Sequence, residues 1–108
     1  MNSPVSGSLK ITIADAPSAL TLRLEGKASG AMVDELRRTW SAIHSELGSR
    51  QLVVDLRDAI YIDKAGLEVL AEIHRQTGAR FEANSPLTQY FVEQATRIES
   101  QSGIPKGA

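Results

Sequence analysis

The sequence contains no cysteine, which excludes disulfides, thiolate nucleophiles and thiolate metal sites. It also lacks an excess of charge of either sign. Twelve basic and 13 acidic side chains leave a formal net charge of -1. So balanced a charge argues against broad, salt-dependent capture of nucleic acid, which needs a basic face, and gives no reason to invoke an anionic membrane surface. Long apolar runs are missing too, and none approaches the roughly 20 residues of a membrane-spanning helix. Residues 1–8 (MNSPVSGS) are polar and do not follow the basic-then-apolar layout of a secretory leader. These absences together predict a cytoplasmic protein.

What remains is ordinary for a globular domain. The 108 residues are 42% hydrophobic and 23% charged, enough to close one core and too few for two. Ser, Pro and Gly dominate residues 1–8 and again the stretch after Glu99, so both ends read as loose tails around a domain at 9–98.

Within that domain the hydrophobic period changes several times. Leu9, Ile11 and Ile13 alternate with polar residues, as in a half-buried strand. After a turn at Ala16-Pro17-Ser18, Leu20, Leu22 and Leu24 alternate in the same way, predicting an antiparallel hairpin ended by Gly26. From about Ser29, read as an N-cap, Met32, Leu36, Trp40, Ile43 and Leu47 form one helical stripe that stops at Gly48. The aliphatic run from Gln51 to Leu56 predicts a central strand, and Asp58 to Tyr61 a crossing over the sheet edge.

Asp63 is placed to cap a second helix carrying Leu67, Val69, Leu70, Ala71 and Ile73, closed by Gly78. Ala79 to Ala83 predicts a short strand. Asn84-Ser85-Pro86 then opens a third helix, with Ser85 as cap and Leu87, Tyr90, Phe91, Ala95 and Ile98 as its buried face. The order β-β-α-β-α-β-α predicts an α/β fold, with helices packed on a mixed sheet of four or five strands.

The run from Leu52 to Gln76 resembles the signature of STAS domains (sulfate transporter and anti-sigma factor antagonist). Asp55 matches the family's strand-end Asp and Asp63 its helix-cap Asp, while Gly66-Leu67 match the glycine and leucine that follow. The upstream Leu24 to Gly26 and the late Asn84-Ser85-Pro86 are similar to the family as well, so the resemblance spans residues 9–98. It implies a non-enzymatic protein-binding module acting as an antagonist of an anti-sigma factor. The partner would then be a kinase-like anti-sigma factor. An alternative is a structural subunit of a lipid-trafficking transporter complex, where the partner would be a transporter ATPase. A homodimer is compatible with either role, and neither calls for a cofactor.

In the regulatory members a Ser or Thr just before the glycine is phosphorylated to release the partner. That position is Ala65 here, which has no oxygen to accept a phosphoryl group. Three possibilities stay open: constitutive binding, control through another hydroxyl such as Ser29 or Ser85, or loss of switching.

The helix start carries its own chemistry. Its first turn exposes unpaired N–H groups and partial positive charge, which favour the Asp63 cap. Gly66 lets another backbone approach closely. Lys64 puts a cation where helix electrostatics disfavour it, and reads either as a partner contact or as a solvated charge. Tyr61 reads either as an interface anchor or as a ring half-buried under the last helix. Partner binding is therefore assigned to Tyr61, Asp63, Lys64, Ala65, Gly66, Leu67 and Glu68, with Arg75 on the adjoining helix face.

Other constellations are weaker. Asp55, Asp58 and Asp63 would need to converge to hold a metal or work as acid and base, and Asp55 and Asp63 already have structural roles at a strand end and a helix cap. Gly26-Lys27-Ala28-Ser29 imitates a phosphate loop but lacks the upstream glycine and the Lys-Ser/Thr adjacency. His44 and His74 have no second ligand at useful spacing. A small ligand-binding domain or enzyme is the reading from another class, and no pocket of converging titratable groups is visible for it.

Overall fold

The computed structural model describes the backbone of residues 9–103 and the side chains of residues 9–97. Four strands and three helices follow the expected order: β1 (Leu9–Asp15), β2 (Ala19–Ala28), α1 (Ala31–Leu47), β3 (Gln51–Ile62), α2 (Lys64–Thr77), β4 (Arg80–Glu82) and α3 (Pro86–Gly103). They form one four-stranded sheet ordered β1-β2-β3-β4.

β1 and β2 make the antiparallel hairpin, with Ile11 opposite Leu24 and Ile13 opposite Leu22. β3 then lies parallel to β2, and β4 parallel to β3. Both parallel steps advance across the sheet in the same direction. Right-handed crossovers therefore place α1 and α2 on one common face.

That face holds the core. Leu20, Leu22 and Leu24 of β2 and Leu52, Val54 and Leu56 of β3 are buried, packed with Leu36 and Trp40 of α1 and Leu70 and Ile73 of α2. The alternate residues Thr21, Arg23 and Glu25 point to the other face and are only partly covered.

Several boundaries differ from the sequence reading, each for a local reason. β2 does not end at Gly26. It continues to Ala28 through a register irregularity, in which Gly26 takes φ 97, a conformation rarely open to other residues. The N-cap of α1 is Gly30 rather than Ser29, and a glycine has no side chain with which to cap the helix itself. The buried stripe consequently runs Val33, Leu36, Trp40, Ile43, Leu47, leaving Met32 half-buried.

The segment Asp58 to Tyr61 is not a crossing. It extends β3, pairing Asp58 with Glu25 and Tyr61 with Lys27, because β2 also continues beside it. Along α3, Phe91 and Ala95 are buried as expected, but Leu87 and Tyr90 are 46% and 52% exposed. Ile98 lies outside the residues whose side chains are described. The helix itself runs to Gly103, past the composition change after Glu99.

Candidate functional site

Asp63 sits where β3 hands over to α2, in extended backbone conformation. Its Oδ1 accepts from the Gly66 N–H at 2.8 Å, capping α2, and its Oδ2 accepts from the Gly30 N–H at 3.1 Å, at the start of α1. Its own N–H donates to the Ala28 carbonyl at 3.0 Å, and its carbonyl accepts from Leu67 N–H at 2.9 Å. One residue thus ties the end of β2 to the starts of two helices.

Gly66 explains how closely these parts approach. A Cβ there would stand 2.8 Å from Ile62 Cγ2 and 3.1 Å from the Ala28 carbonyl oxygen. The backbone that needs the glycine is therefore the chain's own. Packing also claims Leu67, which is 9% exposed. Of the seven positions read as a partner site, Tyr61, Lys64, Ala65 and Glu68 are exposed, Asp63 is half-covered, and Gly66 and Leu67 are buried. Arg75, further along α2, is exposed too.

Tyr61 is 49% exposed and forms one wall of a groove of about 510 Å³. Asp63 and Lys64 line its end at the start of α2, buried Ile62, Leu67 and Phe91 its inner side, and Leu87, Tyr90 and Gln94 its α3 wall. Sequence reasoning assigned Leu87 and Tyr90 to the core and so missed this wall.

A signal for the helix phase was present in Ser85-Pro86-Leu87-Thr88. Ser85 Oγ accepts from Thr88 N–H at 3.1 Å, while Thr88 Oγ1 accepts from Ser85 N–H at 3.1 Å and Asn84 N–H at 3.0 Å. This reciprocal cap buries Thr88 to 2% exposure and turns Thr88, Phe91 and Ala95 inward. Leu87, Tyr90 and Gln94 then fall on the neighbouring stripe.

The three aspartates do not converge. Asp63 is engaged as described, and Asp58 pairs with Arg23 across the sheet. Asp55, 4% exposed, accepts from the Arg57 backbone N–H at 3.0 Å and from its Nε and Nη2 at 3.0 and 2.9 Å. Among the described residues no group of three His, Asp or Glu side chains is placed to hold a metal ion. His44 lies against Trp40, with ring centroids 4.7 Å apart, and His74 stacks on Phe81 at 5.7 Å.

The Arg57 hydrogen bonds hold the Asp55 carboxyl below its ordinary range, against the opposing effect of burial. A carboxyl whose folded pKa is depressed stabilises the fold above its unfolded value, near 3.9, and loses that contribution as pH falls through the folded one. Asp55→Asn should therefore cost about 1–2 kcal/mol at neutral pH. The gap from wild type should begin to narrow below about pH 4, where the unfolded chain takes up the proton. It should close only as pH falls through the depressed folded value and native Asp55 is protonated too. Urea titrations at stepped pH would check both features, and a gap that persists unchanged into acid would refute the pairing.

The family model for the STAS domain matches residues 10–80, well over half the chain. The chain belongs to the STAS domain family. No curated protein matches it. Among solved structures it is similar to an anti-sigma factor antagonist from Mycobacterium paratuberculosis. The identity is 19% and the TM-score 0.72, with 90% of this chain and 85% of that one covered. An uncharacterised protein from Shewanella loihica, of the DUF3478 family and with a SpoIIAA-like fold, superposes at TM-score 0.51 and 14% identity. That match covers 94% of this chain and 84% of the other. A third similar structure, Mglu, is matched over 69% of this chain but only 19% of its own, at TM-score 0.55 and 20% identity. At these identities the likenesses establish the fold. Among the described residues no helix is long and apolar enough to cross a membrane.

Proposed function

We propose that the chain is a non-enzymatic, cytoplasmic protein-binding module working in the manner of an anti-sigma factor antagonist, through the first turn of α2. One observation carries this reading above the others. That turn is tethered at both helix starts by Asp63, and it still presents Lys64, Ala65 and Glu68 to solvent. A rigid and exposed surface loses little conformational entropy when a partner docks.

Ala65 occupies the position that the family resemblance makes the phosphoacceptor. Its methyl group cannot be phosphorylated, so binding through this turn is constitutive at that position. Ser85 is a poor substitute, because its hydroxyl is already engaged with Thr88 in the α3 cap.

The test is affinity capture from a lysate of the source organism, with wild type and Ala65→Glu as parallel baits. The glutamate places negative charge and bulk where the family's phosphate would sit. A partner held by wild type and released by the variant is the expected result, with affinity for the purified partner falling about tenfold or more. A kinase-like partner would identify sigma regulation, and a transporter ATPase the subunit role. A partner held equally by both baits would move the interface elsewhere and end this proposal.

A further inference from the structure

The groove between the start of α2 and the first turns of α3 is unused by the fold. Its inner side is buried Phe91 and Leu67, but its walls Tyr61, Leu87 and Tyr90 stay 49%, 46% and 52% exposed. These three are among the few large apolar side chains left exposed in the described residues. Exposed aromatic and aliphatic walls around an apolar depression suit an anchor side chain that arrives with its own covering scaffold. A small ligand in so open a groove would leave much of its surface in water.

The electrostatics select the partner's sign. Each of the two helix starts at Asp63 carries about half a positive charge, and the single carboxylate that faces both roughly offsets them. Lys64 at the rim is then uncompensated. Lys27, exposed and opposite Tyr61 in the β2–β3 register, adds to it. Neither lysine takes part in an ion pair among the described residues. Glu68, one turn further along α2, does not line the groove. A second copy of this chain is disfavoured as the occupant, because a two-fold contact here would set the lysines of each copy against those of the other.

We infer that the α2–α3 groove receives an apolar anchor side chain of a protein partner, flanked by a carboxylate that pairs with Lys64. This rests on the proposed role in partner binding and extends it to α3, naming the chemistry of the docking segment. The contact combines burial of the anchor among Tyr61, Leu87 and Tyr90 with an ion pair at the rim. The ion pair sets orientation and partner choice more than affinity.

The probe is a displayed library of random peptides selected on the full chain, with the enriched peptides then titrated against variants. Enriched sequences should share a large apolar residue within one helical turn of Asp or Glu. Tyr90→Ser and Lys64→Glu should each weaken them about tenfold or more. A peptide with its acidic residue changed to Lys should regain affinity for Lys64→Glu. Tyr90 and Lys64 are both exposed, so these variants are expected to fold, and their thermal melts would confirm it.

No enrichment, enrichment without acidic residues, or indifference to Tyr90→Ser would each overturn the inference. So would concentration-dependent self-association abolished by Tyr90→Ser, which would make a second copy the occupant. The outcomes remain separable from the proposed function. A captured partner sensitive to Ala65→Glu but indifferent to Tyr90→Ser leaves that function standing and removes the groove. A captured partner indifferent to Ala65→Glu removes the function whatever the peptides do.

Discussion

Asp63→Ala is expected to cost about 2–3 kcal/mol of folding stability, because it strips the caps from two helices in one substitution. Loss of an N-cap side chain alone typically costs about 0.5–2 kcal/mol. Here the same carboxylate also accepts from Gly30 at the start of α1, so a second backbone donor loses its partner. Asp63→Asn separates the two contributions. An asparagine oxygen still caps α2, but its amide nitrogen cannot accept from Gly30, so about half the loss should remain. Urea unfolding of the three proteins would measure this. Equal stability for wild type and Asp63→Ala would mean that the bridge between the helix starts contributes nothing.

Gly66→Val should be at least as damaging, at about 3 kcal/mol or more, through overpacking instead of lost hydrogen bonds. The new Cβ alone would lie 2.8 Å from Ile62 Cγ2 and 3.1 Å from a backbone oxygen that belongs to the β2 end. The valine adds two methyl groups in the same crowded turn. Gly66→Ala should be milder, since alanine regains about 1 kcal/mol of helix propensity over glycine. Thermal melts of the pair should rank wild type above alanine and alanine above valine. If Gly66→Val melted with wild type, α2 would not be packed against Ala28 as described.

These two residues show how local the readable part of the site is. Asp63 as a cap and Gly66 as a close-approach glycine are both legible from their places at a helix start. What Asp63 reaches with its second oxygen is not legible, because Gly30 is 33 residues away and is brought near only by the β2–α1–β3 crossover. Gly66 likewise marks a tight contact without saying which backbone makes it.

The contrast holds across the fold. Periods of two and of about 3.6 residues identified the hairpin, the three helices and the aliphatic central strand, since each reflects burial of one face within a short window. The Asp63 to Leu67 neighbourhood carried the family resemblance for a similar reason: capping and close packing demand particular residue types at fixed spacing. Tertiary structure alone decided how far β2 and β3 run, because each is prolonged by pairing with the other. It also decided which apolar residues of α3 are buried. Leu87, Tyr90 and Phe91 look alike in a hydrophobic pattern. The Ser85–Thr88 cap sets the helix phase locally, but only the packing of α3 against the rest of the fold decides that the stripe with Phe91 is covered and the other two are left in water.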